Sequence, residues 1–350
     1  MEKIFIAGGT GMLGAATARA FAAAGTAVVV SSRKDHDAIG EQLRKDSDLV
    51  EVERVDLRDA EQVEALFAKH HFTGMVMLVH THQYAQTRDI NNEIYPITLN
   101  CLETARKSGV KRVVLGGSMA VYGGLAPPFT EDTRFPLQVA AESDADEGIM
   151  RKFEVATKRA LEIIALDYGE SFQMGLSVPP GTGKPEPHEL EVVVLRAPMM
   201  FGPGYQALGS PLGLAAHVAA GRIDHFKGQP GYGDVPVEHL WSALAGMPTN
   251  YVKDNAGCIQ LAMAAPELKR RIYNISSGFP ASPRAQLQAL LNVAPDRADQ
   301  FGLQPEDLPE AQFDLGFNGD LFAQDFGWRS PYTLETALAD YVDWLREQPF

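Results

Sequence analysis

The run GGTGMLG, from Gly8 to Gly14, constrains this chain more than any other feature. It follows a short apolar stretch, Lys3 to Ala7 (KIFIA), and leads into an alanine-rich stretch, Thr17 to Ala24, that reads as a helix. Strand, glycine turn and helix in that order bring backbone N–H groups to a helix N-terminus, where phosphate binds and where a side chain beyond Cα would block its approach. The surrounding pattern, rather than the glycines alone, predicts a dinucleotide site built from Gly8, Thr10, Gly11, Met12, Leu13 and Gly14.

Apolar runs recur at Ala27 to Val30, Val50 to Val55, Gly74 to Val79, Arg112 to Leu115 and Val192 to Leu195. Helical stretches separate them at Ala60 to Lys69, Leu99 to Lys107 and Gly148 to Ala165. Alternating β and α segments whose strands are apolar throughout predict an α/β fold, a Rossmann-type doubly wound parallel sheet covered on both faces. The 350 residues suffice for a large core with an appended lobe. Residues 1–175 are expected to form the dinucleotide-binding domain, with 192–200 and part of 230–260 returning to it. Residues 201–350, where glycine and proline become frequent, are expected to form mainly a smaller α/β substrate-binding lobe. Pro136 to Glu147, with Glu142, Asp144, Asp146 and Glu147, reads as a solvated loop or helix start, and Pro179 to His188 (PPGTGKPEPH) as a surface loop.

The formal net charge of −14 opposes broad attraction to nucleic acid or an anionic membrane surface. No apolar run reaches the roughly 18 residues that span a bilayer, and the N-terminus enters a strand without a basic leader, so a cytoplasmic location is expected. Cys101 and Cys258 are far apart and suggest neither a disulfide framework nor a thiolate metal site; no metal is expected. The expected partner is a small-molecule substrate.

The end of the second strand distinguishes the two nicotinamide dinucleotides. An acidic residue there would accept bonds from the ribose hydroxyls of NAD, but Val30 is followed by Ser31, Ser32, Arg33 and Lys34. Hydroxyls and a guanidinium suit a ribose phosphate, which makes NADP the expected cofactor with NAD the alternative. Solvated loop charges are the plainer reading of Arg33 and Lys34. Asp56 and Leu57, in VDLRD, are placed to meet the adenine ring.

Six segments, in order, carry a family likeness: GGTGMLG, VDLRD, GVKRVVLGGSMAVYG (Gly109 to Gly123), LRAPMMFGPG (Leu195 to Gly204), YNISSG (Tyr273 to Gly278) and FGWRSPYTLETAL (Phe326 to Leu338). The chain resembles the extended short-chain dehydrogenase/reductase family, also called the NAD-dependent epimerase/dehydratase family. The resemblance implies a Rossmann domain with a C-terminal substrate lobe, homodimers through two Rossmann helices, and a Ser/Thr, Tyr, Lys catalytic set. It places the serine at Ser118, the lysine at Lys158 with Glu162 four residues on, and Glu154 where the tyrosine stands in the family. The tyrosine moves the proton while the lysine holds the nicotinamide ribose and lowers the tyrosine pKa. Glu154, one helical turn before Lys158, faces the same side and suits a base; an i,i+4 partner of Lys158 in a site without hydride chemistry is the other reading.

His80 and Thr81, with His82, stand where the family's fourth strand ends near the nicotinamide, and Pro198 of LRAPMMFGPG joins them in the cofactor set. Tyr122 is a fallback phenol near Ser118. Val235, Val237, Glu238 and His239 occupy the segment that in the family is a strand with an acid before a helix; Met199, Met200, Tyr205, His217, Arg222 and Tyr232 are candidate pocket residues. The expected function is that of an NADP-dependent oxidoreductase or epimerase/dehydratase acting on a hydroxyl or carbonyl of a small polar, sugar-like molecule through a Ser/Glu/Lys site. The alternative is an NADP-binding sensor or regulator that lacks hydride transfer.

Overall fold

The computed structural model describes residues 2–34, 36–79, 87–135, 147–170, 190–204, 211–222, 248–310 and 315–347. Its main sheet has seven strands, β1 (Lys3–Ala7), β2 (Ala27–Ser32), β3 (Val50–Arg54), β4 (Gly74–Met77), β5 (Arg112–Ser118), β6 (Glu191–Ala197) and β9 (Ile272–Asn274), ordered β3-β2-β1-β4-β5-β6-β9. β1 pairs in parallel with β2 and β4, β2 with β3, and β4 with β5. The order reverses between β1 and β4. Ligands of open α/β sheets bind at such a switch point, outside the carboxyl ends of the strands.

Helices α1 (Met12–Ala23), α2 (Ala38–Asp46), α3 (Ala60–His70), α4 (Thr87–Lys107) and α5 (Glu147–Glu170) connect the strands. Phe5 of β1, Phe67 of α3 and Phe72 meet with ring centroids 5.0 to 5.5 Å apart, all but excluded from water. Burying each phenyl contributes roughly 2–3 kcal/mol. Cys101, Leu102 and Ala105 of α4 join the same core, so Cys101 is a packing residue, as its burial requires.

Three boundaries differ from the sequence reading. β2 continues to Ser32, and α1 begins at Met12, directly on the glycine turn. α4 begins at Thr87, well before Leu99, and carries Pro96 inside it. Polar residues and an internal proline, which lacks the N–H of a helix interior, conceal that first half from any reading of apolar periodicity. Glu147 opens α5, while Glu142, Asp144 and Asp146 lie outside the described residues, as does the loop at 179–188.

The chain divides into two compact units. The first comprises Met1–Leu125, Asp132–Arg196 and Ile259–Tyr273; the second comprises Ala126–Glu131, Ala197–Cys258 and Asn274–Phe350. In the second unit β7 (Met199–Phe201) pairs in parallel with β8 (Thr249–Tyr251). The helix Val252–Ala264 follows, with Asp254 in its first turn. The expected strand and acid at 235–239 lie outside the described residues; the described strand–acid–helix succession is the one at 249–254. His217 is 1% exposed and its Nδ1 bonds the Gly213 carbonyl at 3.0 Å, so it is a core residue. Tyr251 donates its phenol proton to Asp340, which also pairs with Lys253 at 2.8 Å. Among the described residues no helix is long and apolar enough to cross a membrane.

Candidate functional site

The turn between β1 and α1 is shaped by what glycine lacks. Gly8 has φ +80°, a conformation costly for other residues. A Cβ on Gly14 would stand 2.2 Å from the Gly8 carbonyl oxygen, and one on Gly9 would stand 2.3 Å from the Val30 side chain. Gly11 is the N-cap of α1 and offers no side-chain cap, and the first turn holds no acid. Ala15 N–H is bonded back to the Gly11 carbonyl at 2.8 Å, which leaves the N–H groups of Met12, Leu13 and Gly14 as the bare donors of a helix start. The Gly8 N–H points to Ser31 Oγ at 3.2 Å and stiffens the loop. A turn closed to a Cβ at Gly9 and Gly14 and open at the helix N-terminus fits a dinucleotide pyrophosphate.

Beyond it lies the end of β2. Ser32 donates its hydroxyl to Asp37 Oδ2 at 2.6 Å, while Asp37 Oδ1 caps α2 through the N–H groups of Ile39 and Gly40. Partial burial pushes the Asp37 carboxyl up, but the Ser32 hydroxyl, the Gly40 N–H, the Thr10 side chain and Lys34 outweigh it and hold it below its ordinary value. The sequence reading sees no acid at the end of β2. The structure brings one there from the start of α2, onto Ser32 and Thr10, two of the expected cofactor residues.

Arg33, Arg54, Val55, Asp56, Arg58 and Gln62 line a neighbouring cleft of about 530 Å³. Arg33 pairs with Glu93 of α4 at 3.2 Å; Arg58 forks onto Asp56 and lies 3.6 Å from the same Glu93. Hydrogen bonds from Arg58 hold the Asp56 carboxyl below its ordinary value, with Arg33 adding to the effect. Asn100 of α4 ties this loop down, donating to the carbonyls of Leu57 and Arg58. Leu57 is buried beneath it. Arg54 and Arg58 were not singled out by sequence; the signal was available in ERVDLRD, where they flank Asp56.

Ser118 closes β5 and accepts the Ala120 N–H at 3.1 Å, which leaves its own proton free to donate. α5 is locked beside it. Arg159 donates to the carbonyls of Val121 (2.8 Å) and Gly123 (3.0 Å), and a Cβ on Gly117 would stand 3.2 Å from Glu162 Oε1. Glu162 takes three bonds from Arg196 of β6, at 2.8 to 3.1 Å, and Arg196 Nη1 donates to the Tyr122 hydroxyl at 2.8 Å. Burial pushes the Glu162 carboxyl up against the pull of Arg196. The Arg196 guanidinium also lies over the rings of Tyr122 and Phe135, while Arg159 covers Phe135 as well. Tyr122 is 1% exposed and engaged by this network, which removes it as the fallback phenol.

Glu154 and Lys158 are both partly buried on α5. Desolvation pushes the Lys158 ammonium down to about 8, against the upward effect of Glu154 and Glu162. Pro198 is buried in the second unit, between β6 and β7. Met199 and Met200 are half-buried on β7, and Arg222 donates to the Arg346 carbonyl at 2.8 Å. His80, Thr81, His82, Tyr205 and Tyr232 lie outside the described residues.

The glycine turn after β1, Ser118 at the end of β5 and Lys158 on α5 all lie in the first unit. Residues 4–276 match the model of the NAD dependent epimerase/dehydratase family, so the chain belongs to that family. UDP-glucose 4-epimerase of Mus musculus is 29% identical over 136 residues, and UDP-glucuronate 4-epimerase of Thermodesulfobacterium geofontis 30% over 81. The first match covers 35% of this chain and 39% of the mouse protein, so the likeness spans well under half of these relatives. Solved structures agree over far more of the chain. UDP-glucose 4-epimerase of Thermotoga maritima, solved with UDP-glucose, superposes with a TM-score of 0.69 at 16% identity over 99% of both chains. The Thermus thermophilus UDP-glucose 4-epimerase, a complex with NAD, gives 0.64 at 22% over 99% of both. These structures share the fold, a mostly parallel sheet flanked by helices.

Proposed function

We propose that this protein is an NADP-using enzyme of the epimerase type that acts on a secondary hydroxyl of a nucleotide sugar. The observation that carries the cofactor half is the uncapped N-terminus of α1 at a turn where Gly9 and Gly14 admit no Cβ. The choice of NADP rests on the cleft with three arginines, which suits a 2′-phosphate better than a free ribose diol. Asp37 and the carboxylates of Asp56 and Glu93 are the counterweight, and they support NAD as the alternative. The nucleotide sugar is suggested by the relatives, whose names are those of UDP-sugar 4-epimerases.

When bound, the nicotinamide accepts and returns a hydride. Gly8 to Gly14 would hold the pyrophosphate, and Ser118 would donate its hydroxyl to the reacting oxygen. The Glu162–Arg196–Tyr122 network fixes α5 so that Lys158 stays on the side of Ser118.

Calorimetric titration with NADPH and NADH tests the cofactor, and incubation with UDP-glucose, UDP-galactose and UDP-glucuronate, read by chromatography, tests the reaction. We expect NADPH to bind at least about tenfold more tightly, the worth of one charge-assisted hydrogen bond, and one of the sugars to equilibrate with its 4-epimer. Tighter NADH binding overturns the cofactor choice. Tight cofactor binding without turnover favours the second reading, a nucleotide sensor, for which Glu154 in the tyrosine position is the specific support.

A further inference from the structure

Glu154 is not the residue of α5 that lies level with Ser118. Val155 packs where a Cβ on Gly123 would be, at 2.4 Å, and Glu162 where one on Gly117 would be. Lys158 stands on the same helical stripe between them, three residues after Val155 and four before Glu162. The backbone opposite that interval runs from Gly117 through Ser118 and the 3-10 turn Met119–Tyr122 to Gly123. Lys158 therefore faces the segment that holds Ser118. Glu154 lies one turn further, about 6 Å along the axis at 1.5 Å per residue, beyond the level of Gly123. Its side chain is also shorter than the tyrosine it replaces, so it reaches less far toward Ser118.

Among the described residues, the other titratable side chains beside Ser118 are engaged. The Tyr122 hydroxyl is tied to Arg196, Glu162 is forked by the same guanidinium, and Arg159 is spent on two carbonyls. From α4, Ile94 packs against Leu161 of α5, with Tyr95 beside them. The two carboxylates on the lysine's own stripe, Glu154 and Glu162, flank it one turn to either side.

We infer that Lys158 itself exchanges the proton with the substrate oxygen bound at Ser118, and that Glu154 is the counter-charge that accompanies its ammonium form. This deepens the epimerase reading and rests on it. In the oxidative half, the substrate O–H proton passes to the neutral Nζ, which becomes an ammonium. The C–H electron pair leaves as hydride to the oxidised nicotinamide, and the carbonyl forms. Return of the hydride to carbon and of the ammonium proton to oxygen restores the alcohol, with no other oxidant or reductant. Desolvation that brings the ammonium down to about 8 makes the neutral amine accessible near neutral pH, the condition for a working general base.

The test starts from a readout that needs no substrate. Trace acetylation of the whole protein by acetic anhydride between pH 6 and 11, read by mass spectrometry at the Lys158 peptide, gives its titration midpoint, with exposed Lys111 as reference. The midpoint is expected near pH 8 and should move lower in Glu154→Gln, because a carboxylate that favours the ammonium is gone. A midpoint that coincides with that of Lys111 overturns the inference, since a permanent ammonium cannot accept the proton. In turnover of UDP-glucose or UDP-galactose, Lys158→Met should lose at least about 100-fold beyond any loss of NADPH affinity measured separately. Glu154→Gln should move the pH profile in step with the acetylation midpoint and lose far less turnover than Lys158→Met. A Glu154→Gln loss as large as that of Lys158→Met puts the proton on Glu154 and overturns the inference. Absence of turnover by the natural protein refutes the epimerase reading alone, and the acetylation midpoint then decides whether Lys158 can carry the proton.

Discussion

Gly14 tolerates no side chain. Gly14→Ala forces a methyl to within 2.2 Å of a backbone oxygen, so the turn must open. We expect a loss of roughly 1–3 kcal/mol in stability by urea unfolding and at least about tenfold weaker NADPH binding by calorimetry. Arg33→Ala should weaken NADPH by about tenfold or more, a charge-assisted bond to phosphate, while NADH affinity stays as it was. Equal losses for both would show that Arg33 does not touch the 2′-phosphate. Lys158 gives a pH signature. Between about 8 and its ordinary value the unfolded chain binds more protons than the folded one, so its contribution to stability rises with pH across that window. Lys158→Met removes this dependence. The gain of the variant over the natural protein should be full below pH 8 and shrink toward pH 10, as measured by urea unfolding at both ends. At this scale the glycines were legible because local chain geometry demands them, while Ser118 was singled out only through the family resemblance. The sequence concealed Asp37, which a short turn folds back onto Ser32, and the Tyr122–Arg196–Glu162 network, whose members lie 34 and 74 positions apart.

Among the elements, α5 carries the reacting end and is held by charge as much as by packing. Glu162→Gln leaves Arg196, which is 1% exposed, without its carboxylate, and removing one partner of a buried pair costs about 3–5 kcal/mol. Thermal unfolding should show a clearly lowered midpoint, and NADPH affinity should fall with it if α5 loses its seat on β5. β1, β2, β4, β5 and β6 were legible because each holds an apolar run, which a buried parallel sheet requires, whereas the three-residue strands β7, β8 and β9 are too short to show a pattern. The first half of α4 was not, since Thr87 to Pro96 is largely polar and Pro96 interrupts the helical pattern.

For the whole molecule, composition indicated an acidic, globular chain, yet a net charge of −14 coexists with a cleft lined by three arginines. Net charge sums over positions that only folding brings together. The first unit is assembled from three separate stretches of chain. Arg112 ties two of them to the third: it binds Glu191 of β6 and the carbonyls of Ala262, Met263 and Ala265 near the end of the helix Val252–Ala264. A chain ending at Arg196 lacks β9 and these carbonyls, and should melt without a cooperative transition by circular dichroism, whereas a sharp melt at the natural midpoint would show that the third stretch is dispensable. The interleaving also sets a timetable for synthesis. The ribosome must release Ile272 to Asn274 before the sheet can acquire its last strand, so nearly half of the second unit is already outside the exit tunnel while the first is still unfinished, and an interval of exposed strand edge is the natural place for a chaperone to act.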